Sequence, residues 1–268
     1  MSKPDANSQD PLILERNGGV ATIINNNAPM NSFTLEYFDA LESTLADLAE
    51  DSSLRAIIFT SAGDRNFSVG MDLKQLASGS GGRDGFDSVL DQRQRVLATI
   101  EGMHVPTIAT MFGYCLGGGL ELPLACHFRL CASTGARIGL PELDLGTVPA
   151  WGGTARLTRT VGRSHALDMI LRAKKIDGHR ALEIGLVQEL HPADGLRAAA
   201  DALAAELAAM PPTSVRGVLD CVVGHGDAAL EDALAAERRA VAACATTQDQ
   251  REGMLAFLQK RPPIFTGH

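Results

Sequence analysis

Apolar and polar positions change rhythm along the chain, and the changes mark elements. Two short β-rich runs, 12-LILER-16 and 20-VATIIN-25, flank Asn17-Gly18-Gly19, a hairpin pattern. Over 34–50, Leu35, Phe38, Leu41, Leu45 and Leu48 recur at helical spacing and predict one apolar helix face. The run 54-LRAIIFTS-61 does not alternate, which predicts a strand buried on both faces. Segments 106-PTIATMFG-113 and 128-FRLCA-132 predict two more strands, and 86–101 predicts a helix. The segment 77-ASGSGGRDG-85 is small and polar, the composition of a loop. From about residue 152 onward the pattern is helical, with strand-like 186-LVQEL-190 as the exception. Strands that alternate with helices early, and helices that accumulate late, predict an α/β core. A helical region follows that covers the core or packs on a neighbour. No internal repeat and no linker-like break in composition is visible.

Composition narrows the class. The 268 residues are 45% hydrophobic, enough for a folded core of one large domain or two small ones. No apolar run reaches the roughly 18 residues of a membrane span. The opening MSKPDANSQDP lacks an apolar signal core, so a disordered lead over 1–10 and a cytoplasmic setting are expected. Cys115, Cys126, Cys131, Cys221 and Cys244 are odd in number and form no CxxC pair, which points to reduced thiols without a zinc site. A net charge of −8 without a dense Lys/Arg block argues against nucleic acid or an anionic membrane as partner. A phosphorylated ligand needs only two or three local cations and stays possible.

Three stretches carry candidate chemistry. In 113-GYCLGGGLELPLAC-126, Gly117, Gly118 and Gly119 precede Glu121 in an apolar run. The run lacks the Lys-Ser/Thr of a P-loop and the GxGxxG spacing and position of a dinucleotide fold. A glycine row that starts a helix can still aim free N–H groups at a carbonyl oxygen that becomes an oxyanion. Tight strand–helix packing is the equally open alternative. In 138-IGLPELDLGTVPAWGGTARL-157, Glu142 follows Pro141 and precedes a Gly/Pro-rich loop. Two carboxylates in an apolar pocket can separate their pKa values and divide acid and base work; taken singly, each could be a helix cap or a surface acid. In 63-GDRNFSVGMDLKQL-76, Asp72 is placed to cap the next helix, and the Met71 N–H could face the same pocket as the glycine row.

Together these stretches resemble the enoyl-CoA hydratase/isomerase family, the crotonases. The family pattern F-[CS]-x-G-x-D-[LI] matches 67-FSVGMDL-73, G-x-x-L-G-G-G-x-E-L matches 113-GYCLGGGLEL-122, and P-E-x-x-L-G-x-x-P-x-x-G-G matches 141-PELDLGTVPAWGG-153. The C-terminal 253-GMLAFLQKRPPIF-265 is similar to the family's closing helix and tail. The matches are in order and span nearly the whole chain.

The resemblance implies an α/β fold of the crotonase-like (ClpP/crotonase) kind. That fold has a spiral β-core of ββα units over 11–200 and a helical trimerisation region over 201–268, assembled as a homotrimer or a hexamer of two trimers. It implies an acyl-CoA thioester as substrate, with no metal and no separate cofactor. Met71 and Gly118 would donate N–H bonds to the thioester oxygen, and Glu121 and Glu142 would share acid/base work on a water. Relatives that only isomerise double bonds often lack the first Glu, so both together favour hydration. Arg65, Val69, Leu73 and Lys260 would meet the CoA moiety. Gly117, Ala150, Trp151 and Phe257 would meet the acyl group. Isomerisation, and thioester hydrolysis of the methylthioacryloyl-CoA hydratase kind, could use the same site. A non-catalytic RNA-binding crotonase fold is the rival of another class.

Some positions depart from the family pattern. The early N-R-P-x-x-x-N segment is shortened to 27-NAPMNSF-33, which removes a basic CoA contact that Arg65 and Lys260 would replace. Position 150 is Ala where many hydratases have Gly. Position 151 holds the chain's single Trp where they have a small residue. Trp151 reads either as a wall that reshapes the acyl pocket or as core packing. Asp144 reads as a loop acid, His127, His165 and His179 as non-catalytic, and 231-EDALAAERR-239 as a solvated helix face.

Overall fold

The computed structural model describes residues 10–77 and 85–268. The lead over 1–10 falls outside them except for Asp10. Of the segment 77–85 only Ala77 and Gly85 fall within.

The hairpin forms as β1 (Leu12–Asn17) and β2 (Val20–Asn25), paired antiparallel. Then come α1 (Leu35–Glu50), β3 (Ala56–Ser61), α2 (Leu73–Ala77), α3 (Phe86–Glu101), β4 (Thr107–Met111), β5 (Tyr114–Leu116), α4 (Gly118–Ala125), β6 (Phe128–Ala132) and β7 (Arg137–Gly139). The remainder is α5 (Gly153–Leu171), α6 (Gly178–Glu183), β8 (Glu189–His191), α7 (Leu196–Ala208), α8 (Pro212–Leu219), α9 (Leu230–Cys244) and α10 (Gln248–Gln259). The large sheet has the order β1-β2-β3-β4-β6-β8 and is parallel from β2 onward. A second, small sheet pairs β5 with β7, and Ser68 bridges to Cys115 beside it. Each turn of the chain therefore lays one strand in the large sheet, one short extended piece in the small sheet, and then a helix. This is the expected spiral of ββα units.

The apolar runs are explained by burial on both faces. Ile57, Phe59, Ala109 and Met111 face a core that includes Phe38, Leu41 and Leu45 of α1 and Leu97 and Ile100 of α3. Ala56, Ile58, Ile108 and Leu130 face Leu196, Ala200 and Ala204 of α7, whose small side chains let the helix sit close to the sheet. Thr34 caps α1 by accepting from the Tyr37 amide at 3.1 Å.

Two strand expectations shift. The segment expected as a strand over 186–190 pairs only from Glu189 onward, and β8 ends at His191. Buried Arg129 is the reason: its Nε donates to the Leu186 carbonyl (2.7 Å), and its carbonyl accepts from the Gln188 amide (3.0 Å). Leu186 and Val187 are thereby tied to an arginine and packed in the core rather than laddered. The strand expected over 54–61 starts at Ala56, because Leu54 is turned back onto the Asp51 carbonyl.

Asparagines organise the segment 27-NAPMNSF-33. Asn31 is fully buried with φ 49°, and its Nδ2 donates to the carbonyls of Ala62 (2.9 Å) and Asn66 (2.6 Å). Asn66 in turn accepts from the Tyr114 amide at 3.0 Å, which aligns the loop after β3 with β5. Asn31→Ala removes both bonds and the local one that Asn31 Oδ1 accepts from Asn27 N (3.3 Å), and keeps a left-handed backbone that a non-Gly residue without such a bond tolerates poorly. A loss of about 3 kcal/mol in urea unfolding is expected.

All five cysteines are free, and Cys115, Cys126 and Cys131 are buried. Among the described residues no helix is long and apolar enough to cross a membrane.

Candidate active site

The site is built where the two sheets meet. After β3 the chain runs along β5: Ser68 N donates to the Tyr114 carbonyl (2.9 Å), and Leu116 N donates to the Ser68 carbonyl (3.0 Å). Ser68 Oγ accepts from Gly70 N at 3.0 Å. Gly70 has φ 91°, and a Cβ there would lie 2.8 Å from the Leu116 carbonyl and 3.2 Å from Gly118 N. Only glycine fits, and its fit brings this loop against the start of α4. The Gly70 carbonyl accepts from Phe33 N (2.7 Å), and Asp72 N donates to the Phe33 carbonyl (3.0 Å). Strand alternation then turns the intervening Met71 N–H the other way. As expected, Asp72 caps α2, accepting from the amides of Lys74 and Gln75.

Gly118 is the first residue of α4, where a helix leaves its N–H without an internal acceptor. Among the described residues, neither Met71 N nor Gly118 N donates to a protein acceptor. Both residues line one cavity of about 390 Å³. The glycine row is also a packing device, the alternative that the sequence left open. Gly119 packs its Cα onto the Ser68 carbonyl. A Cβ on Gly118 would lie 2.6 and 2.8 Å from Cη2 and Cε3 of Trp151. Gly117 adopts φ 55° and ψ −127°, and its Cβ would lie 2.9 Å from Oε1 of Glu142. Each glycine is thus required by the protein's own packing while one also presents a donor.

Glu121 sits in the first turn of α4 and is 2% exposed. Its Oε1 accepts from the amides of Trp151 and Gly153, both at 2.8 Å. Burial nevertheless pushes its pKa up to about 7, and the neighbouring Glu142 carboxylate adds to the rise. Glu142 opens a short 3₁₀ turn (Glu142–Leu145) after Pro141, and burial raises its pKa as well. Its Oε2 is buried without a hydrogen-bond partner among the described residues. A buried unpaired carboxylate oxygen is costly unless it is neutral or has a ligand to meet. Burial thus favours the protonated form at both groups, and both carboxylates line the same cavity as the two free N–H groups.

The loop that holds Trp151 is fixed at successive peptides. Gln94 of α3 donates to the Ala150 carbonyl (2.8 Å), and Arg156 of α5 donates to the Trp151 carbonyl (3.0 Å). Arg156 is itself held by Glu101 through two bonds of 2.8 and 3.0 Å. Sequence reasoning missed Gln94 and Arg156, because a polar residue on a helix gives no sign of which loop carbonyl it will meet.

Of the residues singled out from the sequence, Glu121, Glu142, Met71, Gly118, Val69, Leu73, Gly117, Ala150 and Trp151 all line the cavity. Arg65, Phe257 and Lys260 do not. Arg65 is exposed on the loop after β3, Phe257 is 83% exposed on α10, and Lys260 is exposed at the end of that helix in a left-handed conformation. Leu90, Leu145, Thr147 and Val148 also line the cavity and were not singled out. Leu145 and Val148 carried a signal: they are apolar residues in a Gly/Pro-rich loop with no core to fill.

Comparisons with known proteins place the chain in a family. The enoyl-CoA hydratase/isomerase family matches residues 15–268. A Bacillus subtilis protein named "probable enoyl-CoA hydratase" is 37% identical over 251 residues, covering 92% of this chain and 95% of its own. The short-chain-enoyl-CoA hydratase of Clostridium acetobutylicum is 32% identical, covering 93% and 95%. The crystal structure of an enoyl-CoA hydratase from Bacillus anthracis superposes with a TM-score of 0.91 at 31% identity, covering 96% of this chain and all of that one. A family match over nearly the full length, relatives of this identity and a shared fold lead to one conclusion: the chain belongs to the enoyl-CoA hydratase/isomerase family.

Proposed function

We propose that the protein is a hydratase that adds water across the 2,3 double bond of a short or modified 2-enoyl-CoA thioester. One observation carries the reading: two carboxylates with raised pKa values share a cavity with two unpaired backbone N–H groups. In the proposed step the thioester oxygen lies on Met71 N and Gly118 N. The ionised carboxylate of the Glu121/Glu142 pair takes a proton from a water as its oxygen bonds to Cβ. The π electrons move onto the thioester oxygen, giving an enolate whose charge the two donors stabilise. The protonated partner then delivers its proton to Cα. The sum is addition of H and OH, and the pair ends with one proton, as it began.

The substrate's CoA end would leave past the exposed apolar residues of the cavity, with Val69 and Leu73 along the arm and Arg65 and Lys260 near the phosphates. No metal or further cofactor enters this scheme. The region over 201–268 is proposed to form a homotrimer, or a hexamer of two trimers. The exposed apolar side chains of α9 and α10, with Leu258 and Phe257 foremost, support that proposal. In such an assembly Phe257 would reach an acyl site. The setting proposed is the cytoplasm.

The test is a turnover screen of the purified protein on short, branched, aromatic and thioether 2-enoyl-CoAs, following loss of the enoyl absorbance with free thiol monitored in parallel. Formation of 3-hydroxyacyl-CoA supports the reading. Release of free CoA without it points to hydrolysis and overturns it.

A further inference from the structure

We infer that the indole of Trp151 is the closed end of the acyl site and sets the longest acyl chain that can react. The inference rests on the hydratase reading above and adds a residue that selects among substrates.

The cavity has a wet end and a dry end. Leu73, Leu145 and Val148 line it and are 51%, 63% and 62% exposed, so the mouth lies among them. Trp151 and Glu121 line it and are almost wholly buried, so they form the far wall. A thioester whose carrier arm leaves by the mouth has to point its acyl tail inward. The order of groups along that path follows from the contacts. The indole lies directly on the Gly118 Cα, as the Cβ positions above require. An acyl chain whose oxygen rests on Gly118 N and whose double bond lies beside the carboxylates therefore meets the ring within its next few carbons.

The wall is rigid. Behind the indole stand Phe38, at 5.2 Å between centroids and 74° between planes, and Phe33, at 6.2 Å. The Arg93 guanidinium lies 4.0 Å over the Phe38 ring and 5.8 Å from that of Trp151. The Trp151 peptide is tied on both sides, by its N–H to Glu121 and by its carbonyl to Arg156. Backbone and ring are held independently, so the indole cannot swing aside for a longer chain without breaking several contacts. Replacement by a smaller side chain leaves Glu121's two amide donors in place, because they belong to the backbone. It opens an apolar space that runs toward Phe33 and Phe38.

The experiment measures kcat/KM for crotonyl-CoA and trans-2-octenoyl-CoA on the wild type, Trp151→Ala and Trp151→Phe, with Kd for butyryl-CoA and octanoyl-CoA by calorimetry on the same proteins. The octenoyl/crotonyl ratio is expected to rise roughly tenfold or more in Trp151→Ala, a size typical of relieving a hydrophobic pocket of a few methylenes. Trp151→Phe should show a smaller rise, and the Kd ratio should move the same way. An unchanged ratio in a folded variant overturns the inference, even if both rates fall. Should Trp151→Ala not fold, an unchanged ratio in Trp151→Phe does the same. Absence of hydration of either substrate by the wild type sinks the hydratase reading instead, and the Kd ratios still decide whether Trp151 limits acyl length.

Discussion

Glu142→Gln is expected to lower kcat for enoyl-CoA hydration by about 10²–10⁴-fold while the protein stays folded, and Glu121→Gln is expected to do the same. The amide fills the space of the carboxylate but can neither accept the water's proton nor keep one to give. Because the two groups act as a unit, the double variant should fall little further than either single one. Steady-state kinetics on crotonyl-CoA measures this, with circular dichroism as the check on folding. The same chemistry fixes the pH dependence. In the proposed step the pair carries one proton, so kcat/KM should be bell-shaped, with limbs that belong to the pair rather than to either residue. Stability should respond as well. The folded-state pKa of Glu121, at about 7, lies above the ordinary 4.5. The native state thus holds a proton that the unfolded chain has already released. The contribution is fully present below about 4.5 and is lost as pH rises through about 7. A shift of this size corresponds to at most about 3 kcal/mol. Glu121→Gln should remove that fall, and urea melts across this pH range on both proteins check it. The Gln carbonyl can still accept from Trp151 N and Gly153 N, so the comparison isolates the charge.

The second large effect is expected from one methyl group. Gly118→Ala places a Cβ where three atoms of the Trp151 ring already stand. The indole is backed by Phe33 and Phe38 and tied through its peptide, so it does not yield easily. Relief has to come largely from the start of α4, which carries both Gly118 N and Glu121. Displacing an oxyanion donor costs about 10²–10³ in kcat, and overpacking costs about 1–3 kcal/mol in stability. The double variant Gly118→Ala/Trp151→Ala should recover part of the single variant's lost stability. The clash partner is gone, and coupling between touching residues shows as non-additivity. Additive losses in a thermal-melt cycle would mean that the indole does not press on Gly118.

Much of this site was legible in the sequence, for identifiable reasons. The buried strands announced themselves as unbroken apolar runs, because a parallel sheet covered on both faces has no polar side. The helix over 34–50 showed its buried face in its spacing. Strands β5 and β7 left no trace, since three residues are too few to show a period, yet β5 leads directly into the start of α4, where Gly118 presents its N–H. The start of the strand expected over 186–190 was misplaced because a distant arginine, not the local pattern, decides where pairing starts. The glycine row was ambiguous for a sound physical reason. Glycine is demanded both by ligand approach and by close packing, and here Ser68, Trp151 and Glu142 take up the room. The placement of Glu142 in the cavity depends on Gly117 lacking a side chain, since a Cβ there would lie 2.9 Å from its Oε1, and no spacing rule encodes that. Arg65, Lys260 and Phe257 came from resemblance alone, and none of them lies in the cavity wall of this chain.

If a water beside the carboxylates attacks Cβ of a bound enoyl thioester, the oxygen gained by the product comes from solvent and sits on C3. Mass spectrometry of the product formed from crotonyl-CoA in water labelled with heavy oxygen tests it most directly. An intact CoA thioester carrying one heavy oxygen, located on C3, is expected. Heavy oxygen in a freed carboxylic acid, or an enoyl-CoA recovered unlabelled, would contradict it.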